Sequence, residues 1–164
     1  MKYKVAIITV SDKGSRGERV DTSGPALKEF LGDAYDVREI VIVPDEIPVI
    51  ADAIKRLVDN EKVDLVVTTG GTGVAKRDVT PEATRSVIDR ELPGFAEVIR
   101  MESYKITPHG IISRGICGIR GESMIINLPG SPKGAIECLG FVIDAIPHAL
   151  AKIKGDPADC GVSP

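Results

Sequence analysis

Thr68-Thr69-Gly70-Gly71-Thr72-Gly73 places three glycines within four residues, between threonines and directly after an apolar run. Glycines in that setting let backbone N–H groups come close to an anion, and threonine hydroxyls add donors, so a phosphate is the natural guest. A tight turn with positive φ explains one such glycine equally well. The spacing is not G-x-G-x-x-G, because the third glycine is missing. It is not a P-loop either, because Ala75 stands where glycine would precede Lys76 and Arg77 replaces Ser or Thr. Lys76-Arg77-Asp78 comes next. Two cations suit a polyanionic substrate, and a carboxylate beside them suits a Mg²⁺ ion that bridges phosphates or a group that positions a nucleophile. The plainer alternative has Asp78 capping a helix and the two cations as solvated surface.

Asp45 follows an apolar stretch in Val43-Pro44-Asp45-Glu46. It is either a first-turn acid of the next helix or, with Asp78 on a neighbouring strand end, half of a two-carboxylate metal site. Leu128-Pro129-Gly130-Ser131-Pro132 is a rigid connector whose Gly130 and Ser131 can present amides to a ligand, or in which Ser131 only caps a helix. His109 and His148 are too few and too far apart for a zinc site, and no G-x-S-x-G or H-E-x-x-H occurs. The charges of residues 13–19 read as a solvated mobile loop, with a lid as the other possibility.

These groups need a frame that brings distant loops together. Residues 5–10, 64–69, 116–119 and 124–128 are largely apolar and rich in β-branched types, as strands covered on both faces are, and 35–43 alternates before it turns solidly apolar through Ile40-Val41-Ile42-Val43. Between them the spacing predicts helices from Ser23, over 47–60, from Thr80 to about Arg90, from Pro93 to a break at Ile106-Thr107-Pro108, and over 132–145, with Pro147 opening a last turn. Ser23 and Thr80 are the expected caps. Phe95, Val98, Ile99 and Met101 are expected to point inward. The alternation predicts an α/β three-layer sandwich with a mostly parallel sheet and one antiparallel edge strand. In such sheets ligands sit at the carboxyl ends of the strands. Residues 1–155 make one domain on this reading, and 156–164 a flexible tail.

The chain has 164 residues, 43% of them apolar and 27% charged, with 21 Lys and Arg against 24 Asp and Glu. A net charge of −3 with 4% aromatics and no Trp argues against nucleic-acid binding. Cys117, Cys138 and Cys160 are widely spaced and form neither a disulfide framework nor a C-x-x-C site. A reducing cytoplasm is the expected compartment. The run 5–10 is too short to span a membrane, and no leader is expected.

Four segments in order carry a family resemblance: Thr68 to Gly73, then Arg77-Asp78-Val79-Thr80-Pro81-Glu82, then Ile106-Thr107-Pro108 with Ser113-Arg114, then Asn127-Leu128-Pro129-Gly130-Ser131-Pro132. The chain resembles the MogA/MoaB family of molybdenum cofactor biosynthesis from about Val5 to Lys154. Gephyrin-type G domains belong to it too. Pro44-Asp45-Glu46 and the Lys-Arg pair before Asp78 make it most similar to the MogA branch. The resemblance implies a molybdopterin adenylyltransferase, which moves AMP from Mg-ATP to the terminal phosphate of molybdopterin and releases pyrophosphate. It implies Asp45 and Asp78 as the catalytic, Mg²⁺-holding pair. It implies Thr69, Gly70, Gly71, Thr72 and Gly73 as the cradle of the nucleotide phosphate. Ser113, Pro129, Gly130 and Ser131 would contact the pterin or its phosphate. A homotrimer and handover to a MoeA-like molybdenum insertase are also implied. The alternative is a non-catalytic, MoaB-like molybdopterin-binding protein.

Overall fold

The computed structural model describes residues 1–158. Its first strand, β1 (Lys4–Val10), is buried along nearly its whole length, which requires a sheet covered on both faces. The other elements are α1 (Asp12–Ser15), α2 (Ser23–Leu31), β2 (Asp36–Val43), α3 (Ile47–Lys55), β3 (Leu65–Thr69), α4 (Thr80–Arg85), β4 (Arg90–Glu91), α5 (Pro93–Ile106), β5 (Cys117–Arg120), β6 (Ser123–Leu128), α6 (Pro132–Gly140) and α7 (Ile146–Ile153). The strands join in one sheet ordered β2-β1-β3-β6-β5-β4. Neighbours from β2 to β6 pair in parallel. The β5–β6 hairpin is antiparallel, and the two residues of β4 close that edge. The expected α/β sandwich, mostly parallel with an antiparallel edge, is therefore what the chain adopts.

Alternate side chains feed two cores, as the period of a strand demands. Val5, Ile7, Leu65, Val67, Met124 and Ile126 pack with residues of α2, α5, α6 and α7 on one face. Ala6, Ile8, Val66 and Ile125 pack with residues of α3 and α4 on the other.

Several boundaries differ from the sequence expectation. The helix expected over 47–60 ends as α3 at Lys55 and continues as a π turn over Arg56–Asn60. The helix expected to reach Arg90 stops at Arg85, because Arg90 and Glu91 pair with Ile119 and Gly118. The segment 132–145 breaks after Gly140 and resumes as a 3₁₀ turn at Ile143–Ala145 before α7. On α5, Ile99 is buried and Phe95 packs at the core margin. Val98 and Met101 instead point outward, because α5 lies over the short edge strands and meets the core along one stripe. Cys117 and Cys138 are buried free thiols, and Cys160 lies outside the described residues. Of the expected tail, Asp156 donates its amide to Ala151 O at 3.0 Å; residues 159–164 lie outside the described part.

The two expected cap hydroxyls are used across the fold. Ser23 N and Gly24 N donate to Asp21 Oδ1, each at 3.1 Å, so Asp21 caps α2. Ser23 Oγ donates to Gly130 O at 2.6 Å, and Thr80 Oγ1 to Gly70 O at 2.8 Å. Ser131 does cap α6, its Oγ accepting from Gly134 N at 3.1 Å.

Asn127 on β6 stands beside Thr68 on β3. Its Nδ2 donates to Thr68 Oγ1 and Thr84 Oγ1, each at 3.0 Å, and its Oδ1 accepts from Ile116 N at 3.2 Å. One buried amide thus ties α4 and the entry to β5 onto the sheet. Asn127→Leu leaves the Ile116 amide without this partner and is expected to cost about 2 kcal/mol. Denaturant unfolding reads this as a lowered midpoint at unchanged slope, and an unaltered midpoint refutes it.

Candidate active site

Chain order reverses between β1, which leads to β2, and β3, which leads away toward β6. Such a switch point opens a crevice at the carboxyl ends of the strands. The loops after β1, β2, β3 and β6 meet there around a cavity of about 600 Å³, lined in part by Asp12, Asp45, Gly70, Gly71, Asp78 and Ser131. A second cavity of about 550 Å³ lies beside it, lined in part by Ile99, Ser103, Thr107, Ser113 and Pro129. Gly71, Asp78 and Gly130 line both and form the partition between them.

Backbone approach explains the glycines of the partition. Gly70 N donates to Leu128 O at 3.1 Å, Thr69 Oγ1 to Pro129 O at 2.7 Å, and Thr80 N to Gly71 O at 3.1 Å. Gly70 and Gly71 have φ of +102° and +68°, a region that L side chains rarely adopt. A Cβ on Gly70 would collide with the carbonyl oxygen of Val10. The Thr69 hydroxyl and the Gly70 amide are therefore committed to the fold. The amides of Gly71, Thr72 and Gly73 donate to no backbone oxygen among the described residues and are the ones available to a phosphate. Of the other candidates, Ser131 lines the first cavity, Ser113 and Pro129 the second, and Gly130 both.

Asp45 and Asp78 both line the first cavity. Neither caps a helix. Asp78 Oδ2 accepts from Ala75 N at 3.0 Å and closes a turn. Asp45 Oδ2 accepts from Asp12 N at 3.0 Å, and Asp12 Oδ1 accepts from Asp45 N at 3.0 Å. This exchange follows from register: Val10 pairs with Val43, and each is followed two residues later by an aspartate. Arg77 grips Asp12 with two hydrogen bonds, 3.0 Å from Nε and 2.9 Å from Nη2, and reaches Glu46 at 2.8 Å. Its hydrogen bonds hold the Asp12 carboxyl below the usual range. Burial, followed by the charges of Asp12 and Asp78, pushes Asp45 above it. A divalent cation relieves such repulsion, and two carboxylates suit Mg²⁺, which keeps water and substrate oxygens in its other positions. Among the described residues no three His, Cys, Asp or Glu side chains converge into a larger metal cluster.

Sequence reasoning passed over Asp12, although its place after β1 repeats that of Asp45 after β2. It also gave no role to Arg114, which it named beside Ser113 and whose guanidinium donates to Gly73 O and Asp78 O. Of residues 13–19, Lys13 to Ser15 lie in α1 and residues 16–19 are exposed turns, and Lys13, Gly14 and Arg19 line the first cavity. Lys76 lines neither cavity, and Arg77 is paired with acids instead of open to a substrate.

The molybdopterin adenylyltransferase of Helicobacter pylori strain J99 is 45% identical over 156 residues, 93% of this chain and 88% of that protein. The molybdenum cofactor synthesis protein cinnamon of Drosophila melanogaster is 41% identical over 92% of this chain, which spans only 25% of that longer protein. The crystal structure of the molybdopterin biosynthesis enzyme MoaB from Thermus thermophilus superposes with a TM-score of 0.89 at 49% identity, covering 96% of this chain and 99% of that one. The model of the probable molybdopterin binding domain matches residues 6–148, a span that holds both cavities and every candidate residue between them, and the chain belongs to that family.

Proposed function

We propose that this protein is a molybdopterin adenylyltransferase. The observation that carries the reading is the convergence of Asp45 and Asp78 on one cavity whose glycine-lined partition also bounds a second. In the reaction, an oxygen of the terminal molybdopterin phosphate bonds to the α-phosphorus of ATP. The bond from that phosphorus to the β-bridging oxygen breaks, and pyrophosphate leaves. Two dense anions must be held in line, so positioning and charge neutralisation supply most of the catalysis. Two neighbouring cavities suit two ring systems whose phosphates meet at the partition. Gly71, Thr72 and Gly73 offer amides to the phosphates, and Ser113, Pro129, Gly130 and Ser131 form the walls that orient the substrates. Asp45 and Asp78 would hold Mg²⁺, which neutralises charge on the phosphate oxygens.

Incubation with ATP, Mg²⁺ and molybdopterin is expected to release pyrophosphate in step with adenylyl-molybdopterin. Bound molybdopterin without pyrophosphate would leave a MoaB-like carrier. The product would then pass to a MoeA-like insertase. ATP as substrate and two free buried thiols fit a cytoplasmic protein. No single helix among the described residues is long and apolar enough to cross a membrane.

A homotrimer accounts for the apolar residues left uncovered on α5 and the turn after it. Val98, Met101, Tyr104, Ile106, Ile111 and Ile112 are all exposed there, and grouped exposure of this kind marks an interface. Light scattering on the purified chain is expected to give three times the chain mass. A monomer at micromolar concentration contradicts the assembly.

A further inference from the structure

We propose that Arg114 is a positioning residue that sets the place of Asp78 from beneath the glycine loop; the inference rests on the adenylyltransferase reading above. Arg114 Nε donates to Gly73 O at 2.8 Å and Nη2 to Asp78 O at 2.7 Å. Its backbone amide donates to Thr72 O at 2.8 Å. One planar group thus spans both ends of the turn 73–78, which closes on itself through Asp78 N to Ala75 O and Ala75 N to Asp78 Oδ2. Residues 74–77 are exposed, with Val74 at 71%, so among the described residues no side chain buries the turn from above. Arg77 secures the outer flank through exposed ion pairs, which contribute little. Arg114 instead binds half-buried backbone carbonyls.

The charge of Arg114 is matched by Glu82, whose carboxyl the guanidinium holds below its usual range. The group is therefore satisfied within the protein and is not a receptor for substrate phosphate. Its neighbour Ser113 lines the second cavity. The same short segment before β5 fixes a wall of one cavity and the carboxylate shared by both. Lysine cannot replace this fork, because an ammonium has no planar pair of donors set to reach two carbonyls at once.

The test compares Arg114→Lys and Arg114→Gln with the wild-type chain. Each variant is expected to lose about 100-fold in kcat, the scale of an ångström-sized misplacement. KM for ATP and molybdopterin should stay within about threefold, since Arg114 lines neither of the two cavities. The Mg²⁺ concentration for half-maximal rate should rise, and fluorescence titration should still count one molybdopterin site per chain. Glu82→Gln, which keeps the arginine but loosens it, should show the same split at smaller size and serves if the arginine variants fold poorly. A kcat within twofold of wild type overturns the proposal, as does a loss matched by missing binding sites. A wild-type chain that releases no pyrophosphate fails the reading itself, and the proposal with it.

Discussion

Asp78→Asn is expected to lower kcat by about 10³-fold or more, some 4 kcal/mol of transition-state stabilisation, while molybdopterin affinity changes less than about threefold. The substitution is nearly isosteric. An asparagine oxygen still accepts from Ala75 N, so the turn that Asp78 closes survives. What disappears is the Asp78 charge, which lines the first cavity together with Asp45. On the proposed reading, pterin affinity rests mainly on the other walls of the second cavity, Ser113 and Pro129 among them, and the substitution keeps the shape of the Asp78 side chain. Pyrophosphate release measured beside fluorescence titration of molybdopterin separates these quantities. Retention of more than a tenth of the wild-type rate at saturating Mg²⁺ contradicts the role given to Asp78, and a parallel loss of binding shows that the residue builds the cavity instead.

Gly70→Ala is expected to be the most destabilising single methyl in the chain, at about 3 kcal/mol or more. Two costs add. The backbone at φ +102° is strained for any L side chain. The new methyl also meets the carbonyl oxygen of Val10, a backbone atom at the end of a central strand that has no room to retreat. Gly17, also at positive φ but with nothing near its missing Cβ, is the control. Gly17→Ala pays only the φ cost, about 1 kcal/mol. Thermal melts of the two variants are therefore expected to separate by several degrees, with Gly70→Ala lower, and coincident melts contradict the packing argument.

The strands were legible because burial on both faces demands largely apolar runs rich in β-branched residues, and 5–10, 64–69 and 124–128 each carry such a core. The glycine loop and the two aspartates were legible because each follows a strand end, where this fold class opens its crevice. Harder to read were the partners of each group. Ser23 and Thr80 have the right type and place for caps, yet carbonyls of Gly130 and Gly70 claim their hydroxyls once the loops meet. Asp12 stands in a polar stretch that looks solvated until Val10 is set beside Val43. Met101 and Val98 obey helical spacing, but spacing cannot say how wide a strip the sheet covers. In each case the missing information is which distant backbone comes near, a property of tertiary contact and not of local pattern.

The partition shared by the two cavities, formed by Gly71, Asp78 and Gly130, has a kinetic corollary. On the proposed reading the joined molecule would reach into both chambers, each end would anchor the other, and a linked pair of weak grips holds far better than either alone. Escape, not bond making, would then be expected to govern turnover in dilute solution, and a downstream acceptor that pries one end loose would speed the cycle without touching its chemistry.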